Sequence, residues 1–559
     1  MIRERDTLDS QTIYRRRWVI LSVLIVGLLA IVIDNTVLNV AMKTIAEPPP
    51  AGLGASQSQL EWAINSYTLV FAGLLFTFGV IGDKVGRKRM LMIGLALFGI
   101  ASLLSAYSRS PEQLIFARAA MGLGGAAVMP QTLSIISNVF EPAERPRAIG
   151  LWATAVGIGI ATGPVLGGLL LDHFWWGSVF LINVPVTVFG IVAAAILVPE
   201  SRNREAGGID YVGVLLSIAG LVLLVYGIVE GGDSASWLHL GVIGPIVGGL
   251  AILALFAWYE ARIQHPSLDV RLFRDRRLSA SIGSLGLVFF GMGGVFFFTS
   301  FYLQNVRGYT PLAAGLLTVP FAAGQLLMSP RSARMVQRYG AKAVGATGMF
   351  VMAAAIAGYA TLGTDSPIWL LGVLFGLQGA AIGVSMPAAT AAVMDVLPRE
   401  RAGAGSALTN TARQVAVALS VAILGSILAQ FYRSALSPTL AGLPAAARSA
   451  ASSSITATQA VAQQLGTSGR SLLGPANDAF VHSMRITTLI AAVLALAGGF
   501  VVLRWMPGKP QPVTEPVAGP VAEAAPVAVA ALAGDDASYE AELAILEEQH
   551  RLEGSEREG

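Results

Sequence analysis

The sequence predicts an all-α polytopic membrane protein of fourteen spans, arranged as two six-helix bundles plus two additional transmembrane helices. Three observations predict this class: the composition, the series of apolar runs, and the placement of the basic residues. Hydrophobic residues make up 54% of the 559 residues and charged residues 13%, against about 25% charged residues in soluble domains. The mean hydropathy is +0.65. A soluble enzyme, a nucleic-acid binder and a disordered scaffold are excluded, because no water-soluble fold of this size buries so much apolar surface.

An apolar run of about 17–25 residues is long enough to cross a bilayer as a helix. The first run follows Arg15, Arg16 and Arg17 and has no small-residue cleavage site, so we interpret it as a span rather than a signal peptide. Thirteen further runs follow it. The predicted spans lie approximately at 18–44, 60–81, 89–107, 112–139, 148–171, 178–198, 211–230, 237–259, 279–303, 311–332, 342–362, 367–394, 403–430 and 483–504.

Loops rich in basic residues alternate along the chain with loops that have few. With fourteen spans, nearly all the basic loops lie on one side of the membrane, which supports this count. One side receives the amino terminus with five arginines, the basic loop 84–89, and the linker 260–278 with five more arginines. Because basic loops stay on the cytoplasmic side, both termini are predicted to be cytoplasmic. This asymmetry also explains the net charge of +3, and the absence of cysteine excludes disulfides and thiolate metal sites.

A weak internal repeat links the first and last six spans. The basic segment Lys84–Lys88 after span 2 is echoed by Arg338–Lys342 after span 10. Two homologous bundles that face each other are a recurrent transporter design, with binding sites near the membrane midplane. The predicted regions are a cytoplasmic amino terminus (1–17), an amino-terminal six-helix bundle (18–199), a two-helix insertion with spans 7 and 8 (200–260), a basic cytoplasmic linker (261–278), a carboxyl-terminal six-helix bundle with a long external loop at 431–482 (279–505), and a mostly disordered cytoplasmic tail, Pro/Ala-rich and then acidic (506–559).

Asp34 is the one carboxylate of the chain that lies deep within an apolar span. A carboxylate there is costly unless it is paired or neutralised, and it indicates a functional site. Counted from the same membrane surface, Asp34 lies roughly 15 Å deep in span 1 and Arg118 roughly 9 Å deep in span 4. We therefore expect these two residues to pair. The alternatives are an Asp34 that only bonds a neighbouring helix and an Arg118 that extends towards the interface.

Two glycine-containing segments carry further candidate residues. The turn after span 2 allows a tight reversal with charged residues at the helix ends, although the same charges would also serve topology alone. Its residues are Gly79, Asp83, Lys84, Gly86, Arg87 and Lys88. Span 5 carries small residues four apart, which permit close helix contact, and a proline that bends the helix; general packing is the alternative. These residues are Gly159, Gly163, Pro164, Gly167 and Gly168.

Other polar side chains within spans are candidates for a substrate cavity or for hydrogen bonds between helices. They are Asn35, Tyr67, Gln131, Gln378, Asn410 and Arg413. The run 296–298 and Tyr302 would line an apolar pocket or face lipid. No P-loop pattern is present, and the five histidines form no metal cluster. We expect no enzyme activity, no metal and no cofactor.

At these residues the chain resembles the major facilitator superfamily, and within it the fourteen-span drug:proton antiporters, the multidrug and antiseptic exporters of bacteria. Residues 33–41 resemble the first-helix signature of that group, and 79–88 the cytoplasmic gate motif. Arg118 with Gly122 resembles the fourth-helix proton-relay motif, and 159–168 the fifth-helix antiporter motif. The segment 180–185 (Phe-Leu-Ile-Asn-Val-Pro) also resembles the fourteen-span subgroup. Gln337 departs from the pattern, because the repeat would place a gate aspartate there.

The resemblance implies a major facilitator fold and proton-coupled export of lipophilic, often cationic amphiphiles by alternating access. Asp34 would carry the proton, Arg118 would tune it, and Asp83 with Arg87 would latch the cytoplasmic face. A dedicated exporter of a lipid or secondary metabolite on the same scaffold is the first alternative, and a membrane receptor or scaffold that acts through its tail is the second. The expected partners are small amphiphiles, protons and the lipid bilayer, with no nucleic acid. The expected protein is a monomer in the bacterial cytoplasmic membrane.

Overall fold

The structure, a computed structural model, describes residues 10–141, 144–202, 210–234, 237–263, 268–396 and 402–506. Within these ranges, fourteen helices are long and apolar enough to cross a membrane. The predicted number of spans is therefore confirmed by helix length and composition. The carboxyl-terminal tail predicted to be mostly disordered lies, after Met506, outside the described residues.

The helices follow the predicted order, and two spans are interrupted. Span 6 breaks at Ile182, and span 10 breaks at Leu317 and Thr318. The spans occupy Ser10–Ala46 (span 1), Gln57–Val85 (2), Arg87–Ala106 (3), Pro111–Val139 (4), Arg145–His173 (5), Ser178–Leu181 with Asn183–Leu197 (6), Tyr211–Asp233 (7), Leu240–Glu260 (8), Arg276–Phe301 continued by a π turn Tyr302–Val306 (9), Pro311–Leu316 with Val319–Tyr339 (10), Ala341–Tyr359 (11), Ile368–Val396 (12), Ala402–Leu440 (13) and Arg470–Trp505 (14).

The spans form two six-helix bundles and an additional pair. In the first bundle, span 4 packs on spans 2 and 3, and span 1 packs on spans 5 and 6. In the second, span 12 packs on spans 10 and 11, and span 9 packs on spans 13 and 14. Spans 7 and 8 pack on each other, and span 7 also contacts spans 2 and 13. The two bundles meet along the helix pairs 2–13, 5–10 and 1–9.

The repeat between the bundles has a matching backbone conformation. Gly86 separates spans 2 and 3 with φ 127°, and Gly340 separates spans 10 and 11 with φ 85°. Glycine is favoured at both positions because side chains are strained at positive φ. We call the ends of the helices near these two turns the basic face, and the other ends the opposite face.

The segment 431–482, predicted as one long loop, is largely helical. Span 13 continues to Leu440, and the short helices Ala445–Ser452 and Ile455–Gln464 follow before span 14 begins. The segment is rich in Ala, a strong helix former, and in Ser, but it has too little hydropathy to be recognised as part of a span. The second short helix also bonds to span 9: Nδ2 of Asn305 donates to Oε1 of Gln459 at 2.8 Å.

The two bundles are in contact at the opposite face. The Nζ of Lys43 in span 1 donates to the carbonyl oxygen of Gln304 at 3.1 Å, and the side chain of Gln304 donates to the carbonyl of Val40 at 2.9 Å. The backbone N–H of Leu312 in span 10 donates to Asp172 Oδ1 in span 5 at 3.5 Å. These bonds join the first bundle to the second, so the structure is closed at this face.

Candidate functional site

Asp34 and Arg118 form the ion pair expected from their depths. Nη1 of Arg118 donates to Oδ2 of Asp34, and both side chains are only 1% exposed. Nε of Arg118 also donates to the carbonyl oxygen of Ala63 in span 2 at 3.1 Å. The pair lies inside the first bundle, where low polarity strengthens the attraction between opposite charges.

Asn183 is the third member of this site, and it was not singled out from the sequence as a functional residue. Its Nδ2 donates to the second oxygen of Asp34, Oδ1, at 3.0 Å. Asn183 is the first residue of span 6 after the break at Ile182. The Phe-Leu-Ile-Asn-Val-Pro segment was the available signal, but the sequence did not indicate which of its residues faces Asp34.

Tyr67 and Asn35 connect the ion pair to the space between the bundles. The guanidinium carbon of Arg118 lies 4.4 Å from the centre of the Tyr67 ring, a cation–π distance. The side chain of Asn35 donates to the Tyr67 hydroxyl oxygen at 3.0 Å. Asn35 lines the central cavity, whereas Asp34 does not. A ligand in the cavity would therefore reach Asn35, which is three contacts away from the Asp34 carboxylate, through Tyr67 and Arg118.

The central cavity lies between the bundles and has a volume of about 70 Å³. Its described lining is apolar with a few uncharged polar groups, and none of these residues carries a charge. They are Asn35, Thr36, Asn39, Ile64, Thr68, Ile160, Met292, Gly293, Phe296, Gln414, Val417 and Val421. Asn39 and Phe296 also line a second, adjoining pocket towards Leu303 and Ala314. Such a lining suits a lipophilic ligand held by few directional bonds.

The other polar candidates are not among the residues that line this cavity. Gln131 donates to the carbonyl oxygen of Phe78 at 2.8 Å, and Gln378 accepts a bond from the Tyr359 hydroxyl at 3.1 Å. The guanidinium of Arg413 lies 5.4 Å from the Phe289 ring centre. Gln131 and Gln378 thus form hydrogen bonds within the helix packing instead of lining the cavity. Asn410 is half-buried in span 13 and is not among the lining residues.

In the aromatic run of span 9, one residue lines the central cavity and the others are buried in helix packing. Phe296 lines the cavity, where its ring centre lies 4.9 Å from that of Phe321. Phe297 and Phe298 are fully buried, and Tyr302 donates to the carbonyl oxygen of Gly363 at 2.7 Å. These residues therefore pack inside the protein rather than face lipid.

The turn after span 2 forms a network within the first bundle. Nε of Arg87 donates to Asp83 Oδ1 at 2.7 Å. The Nζ of Lys88 donates to the carbonyl of Ala195 at 2.7 Å, and its backbone N–H donates to Glu200 at 3.2 Å. Glu200 was not predicted to take part. The network joins the ends of spans 2, 3 and 6 at the basic face, whereas Lys84 is exposed.

Glycines near this turn allow close approaches. A Cβ at Gly82 would overlap the side-chain amide of Gln131 in span 4, and one at Gly86 would overlap the carboxylate of Glu200. A Cβ at Gly79, by contrast, would make only an ordinary contact with Pro130. The tight packing at Gly82 and Gly86 explains how the charged turn is held against spans 4 and 6.

The small residues of span 5 pack on two different helices. A Cβ at Gly159 or Gly163 would overlap span 1, at Val32 and Thr36 respectively. Gly167 also faces span 1. On the other side, Gly168 is pressed against the backbone of span 10, and Gly315 of span 10 is pressed against the carbonyl of Pro164. Span 5 therefore uses one set of small residues inside its bundle and another across the boundary between bundles.

Sequence reasoning also missed Glu61 in span 2. Its side chain is 2% exposed although it lies only one turn from the helix end. Depth along the helix did not indicate this burial, because the covering residues belong to span 13.

Comparisons with known proteins agree with this architecture. The profile described as Major Facilitator Superfamily matches residues 24–421. The multidrug efflux pump LfrA of Mycolicibacterium smegmatis is 36% identical over 492 residues, which cover 87% of this chain and 96% of the relative. The methyl viologen resistance protein SmvA of Salmonella typhimurium is 32% identical over 490 residues, 87% and 97% of the two chains.

Among solved structures, a bacterial homolog of the human lysosomal transporter Spinster, in an inward-facing and unoccupied conformation, has the same fold. It aligns with a TM-score of 0.61 at 18% identity, over 88% of this chain and 98% of the other. The profile match, the similarity to LfrA over most of both chains and the arrangement of the helices lead to one conclusion. The chain is a multi-pass transporter of the major facilitator superfamily.

Proposed function

We propose that the protein exports lipophilic, often cationic drugs or amphiphiles in exchange for protons, by alternating access of the central cavity. The observation that carries this proposal is the connection from a neutral, largely apolar cavity through Asn35 and Tyr67 to the buried Asp34–Arg118 pair. The names of LfrA and SmvA, a multidrug efflux pump and a methyl viologen resistance protein, support export of such compounds.

In this proposal, Asp34 binds the transported proton. An ionised Asp34 is stabilised by Arg118 and by the amide of Asn183, whereas displacement of either partner favours the protonated form. A ligand that pulls on Asn35 would move Tyr67 and thereby shift Arg118. Coupling would then act through the network rather than through direct competition of ligand and proton for the carboxylate.

The remaining roles follow from position. The Asp83–Arg87 pair latches the basic face, and the residues of span 5 that face span 10 form the hinge between bundles. We propose that the basic face is cytoplasmic, with both termini on that side of a bacterial inner membrane. The chain would divide into bundles at 18–199 and 279–505 with an insertion at 200–260, and would act as a monomer.

A substrate-panel efflux assay in a pump-deficient bacterial host tests this function. We expect lowered accumulation of several chemically unrelated lipophilic cations, and loss of that effect when the proton gradient is collapsed. Efflux that persists without a gradient, or no efflux of any cation, would contradict the proposal.

A dedicated exporter of one lipid or secondary metabolite is the second candidate. It is favoured by the absence of any charged side chain among the described cavity-lining residues, which leaves a cationic ligand without a direct partner. The same panel separates the two functions, because a dedicated exporter would transport neutral compounds of one class and none of the cations.

A further inference from the structure

Glu61 is a buried carboxylate at the boundary between the two bundles, remote from the Asp34–Arg118 pair in its contacts. It lies in span 2 of the first bundle, one turn from the opposite face. Gly425 of span 13, in the second bundle, approaches so closely that a Cβ there would overlap the Glu61 carboxyl group. The contact between spans 2 and 13 therefore closes directly over this carboxyl.

The hydrogen bonding of Glu61 is incomplete. Its Oε1 accepts only a long bond from Gln57, at 3.5 Å, and its Oε2 has no hydrogen-bond partner among the described residues. Asn65 is one turn further along the same helix face and is fully buried, with neither its oxygen nor its nitrogen bonded in the described part of the chain. Residues four apart are neighbours on a helix surface. An O–H on Glu61 would thus have an acceptor at hand in Asn65.

The charged groups around Glu61 do not neutralise it. Asp233, at the end of span 7, adds a negative charge to its surroundings. Elsewhere on the elements packed against span 2, Arg413 of span 13 lies over the Phe289 ring, and four further charged groups near this level have other partners. These are Arg118, paired with Asp34; Glu112, bonded by Gln59; Lys43, bonded to Gln304; and Arg433 of span 13, bonded to the carbonyls of Gly232 and Ser234. An ionised Glu61 in this seam would be a buried charge without a counter-charge, which is strongly unfavourable.

Glu61 also continues the face of span 2 that lines the cavity. Ile64 and Thr68 follow it at helical spacing, and both are lining residues. On span 13, Val421 lines the cavity one turn before Gly425. The carboxyl therefore lies at the end of the cavity wall nearest the opposite face.

We propose that Glu61 is a second proton-binding carboxylate, and that its protonation permits spans 2 and 13 to close at the opposite face. This inference rests on the proposed alternating access. When the seam opens, water reaches Glu61 and the ionised form becomes acceptable. When the seam closes, the proton is retained and its O–H bonds to Asn65. Closure of the opposite face is thereby linked to uptake of one proton.

Cysteine accessibility measures this linkage without any substrate, because the native chain has no cysteine. The reporter is Ala314→Cys, at a side chain that is 3% exposed in the part of span 10 that packs on span 5. The labelling rate of Ala314→Cys with an impermeant maleimide is divided by the labelling rate of a second variant, Gly442→Cys, at an exposed position. This ratio removes the intrinsic pH dependence of thiol reactivity. A single linked proton changes the open-to-closed ratio by up to about tenfold per pH unit.

We expect the normalised labelling to rise at least about fivefold from about pH 6 to about pH 8, because loss of the Glu61 proton opens the seam. Glu61→Gln keeps the shape of the protonated form and should give low labelling at every pH. The matched control, Glu112→Gln, alters an exposed carboxylate on the same face and should keep the native profile. A native profile in Glu61→Gln, or a flat profile in the native protein, would overturn the proposal.

Carbodiimide modification of the native protein gives a second readout if Glu61→Gln fails to fold. The reagent requires a protonated carboxyl, so modification of Glu61, read by peptide mass spectrometry, should fall as the pH rises. Modification of Glu61 that stays constant from about pH 6 to about pH 8 would overturn the inference. The efflux panel is independent of both readouts, so a failure of the proposed function would be distinguishable from a failure of this one.

Discussion

Removal of the Asp34 charge separates a coupling role of the ion pair from a purely structural one. In Asp34→Asn, the Arg118 guanidinium stays buried at 1% exposure without a counter-charge, beside the Ala63 carbonyl, the Met121 sulfur and the rings of Tyr67 and Phe180. Loss of one partner of a buried pair typically costs about 3–5 kcal/mol. We therefore expect a fall of several degrees in the Tm of the detergent-solubilised protein, together with loss of proton-driven efflux.

The double variant Asp34→Asn with Arg118→Met decides between the two roles. It leaves no buried charge at this position, so most of the stability should return, less about 1 kcal/mol for the lost bond to Ala63. Transport should not return, because no group replaces the proton carrier. Asp365→Asn, at an exposed loop position, is the control and should leave stability and efflux unchanged.

The assays are thermal unfolding and substrate-induced proton release from proteoliposomes. Normal proton release by Asp34→Asn would leave Asp34 without a coupling role. Recovery of efflux in the double variant would show that the pair only joins spans 1 and 4, as the structural alternative requires.

Three further predictions concern topology, the gate and span 5. A cysteine in place of the exposed Arg274 should react with an impermeant reagent only after the membrane is permeabilised, whereas labelling in intact cells would contradict the orientation. Asp83→Asn removes the 2.7 Å bond to Arg87 and should slow transport while ligand affinity, measured by equilibrium binding, stays within several-fold; unchanged kinetics would disprove the latch. Gly163→Ala should lower stability by about 1–3 kcal/mol through overlap with Thr36, and Thr36→Ala should partly relieve it in a thermal-unfolding series; an unchanged Tm in the single variant would refute the close contact.

The sequence alone determined the number and order of the spans, because apolar length decides whether a helix can cross a bilayer. It also determined that Asp34 and Arg118 lie at similar depths, because the rise per residue of a helix is constant. Apolar length did not predict the helices within 431–482, because helices rich in Ala and Ser have little hydropathy. The same limit applies to any helix that is stabilised by packing rather than by lipid.

The tertiary structure decided which way each side chain points. Depth did not reveal that Asn35, rather than Asp34, faces the cavity, because neighbouring residues on a helix differ by about 100° in direction. Nor did it reveal that Asn183 completes the ion-pair site or that Gly425 covers Glu61. Each of these contacts joins residues more than a hundred positions apart, and such contacts depend on how whole helices pack against one another.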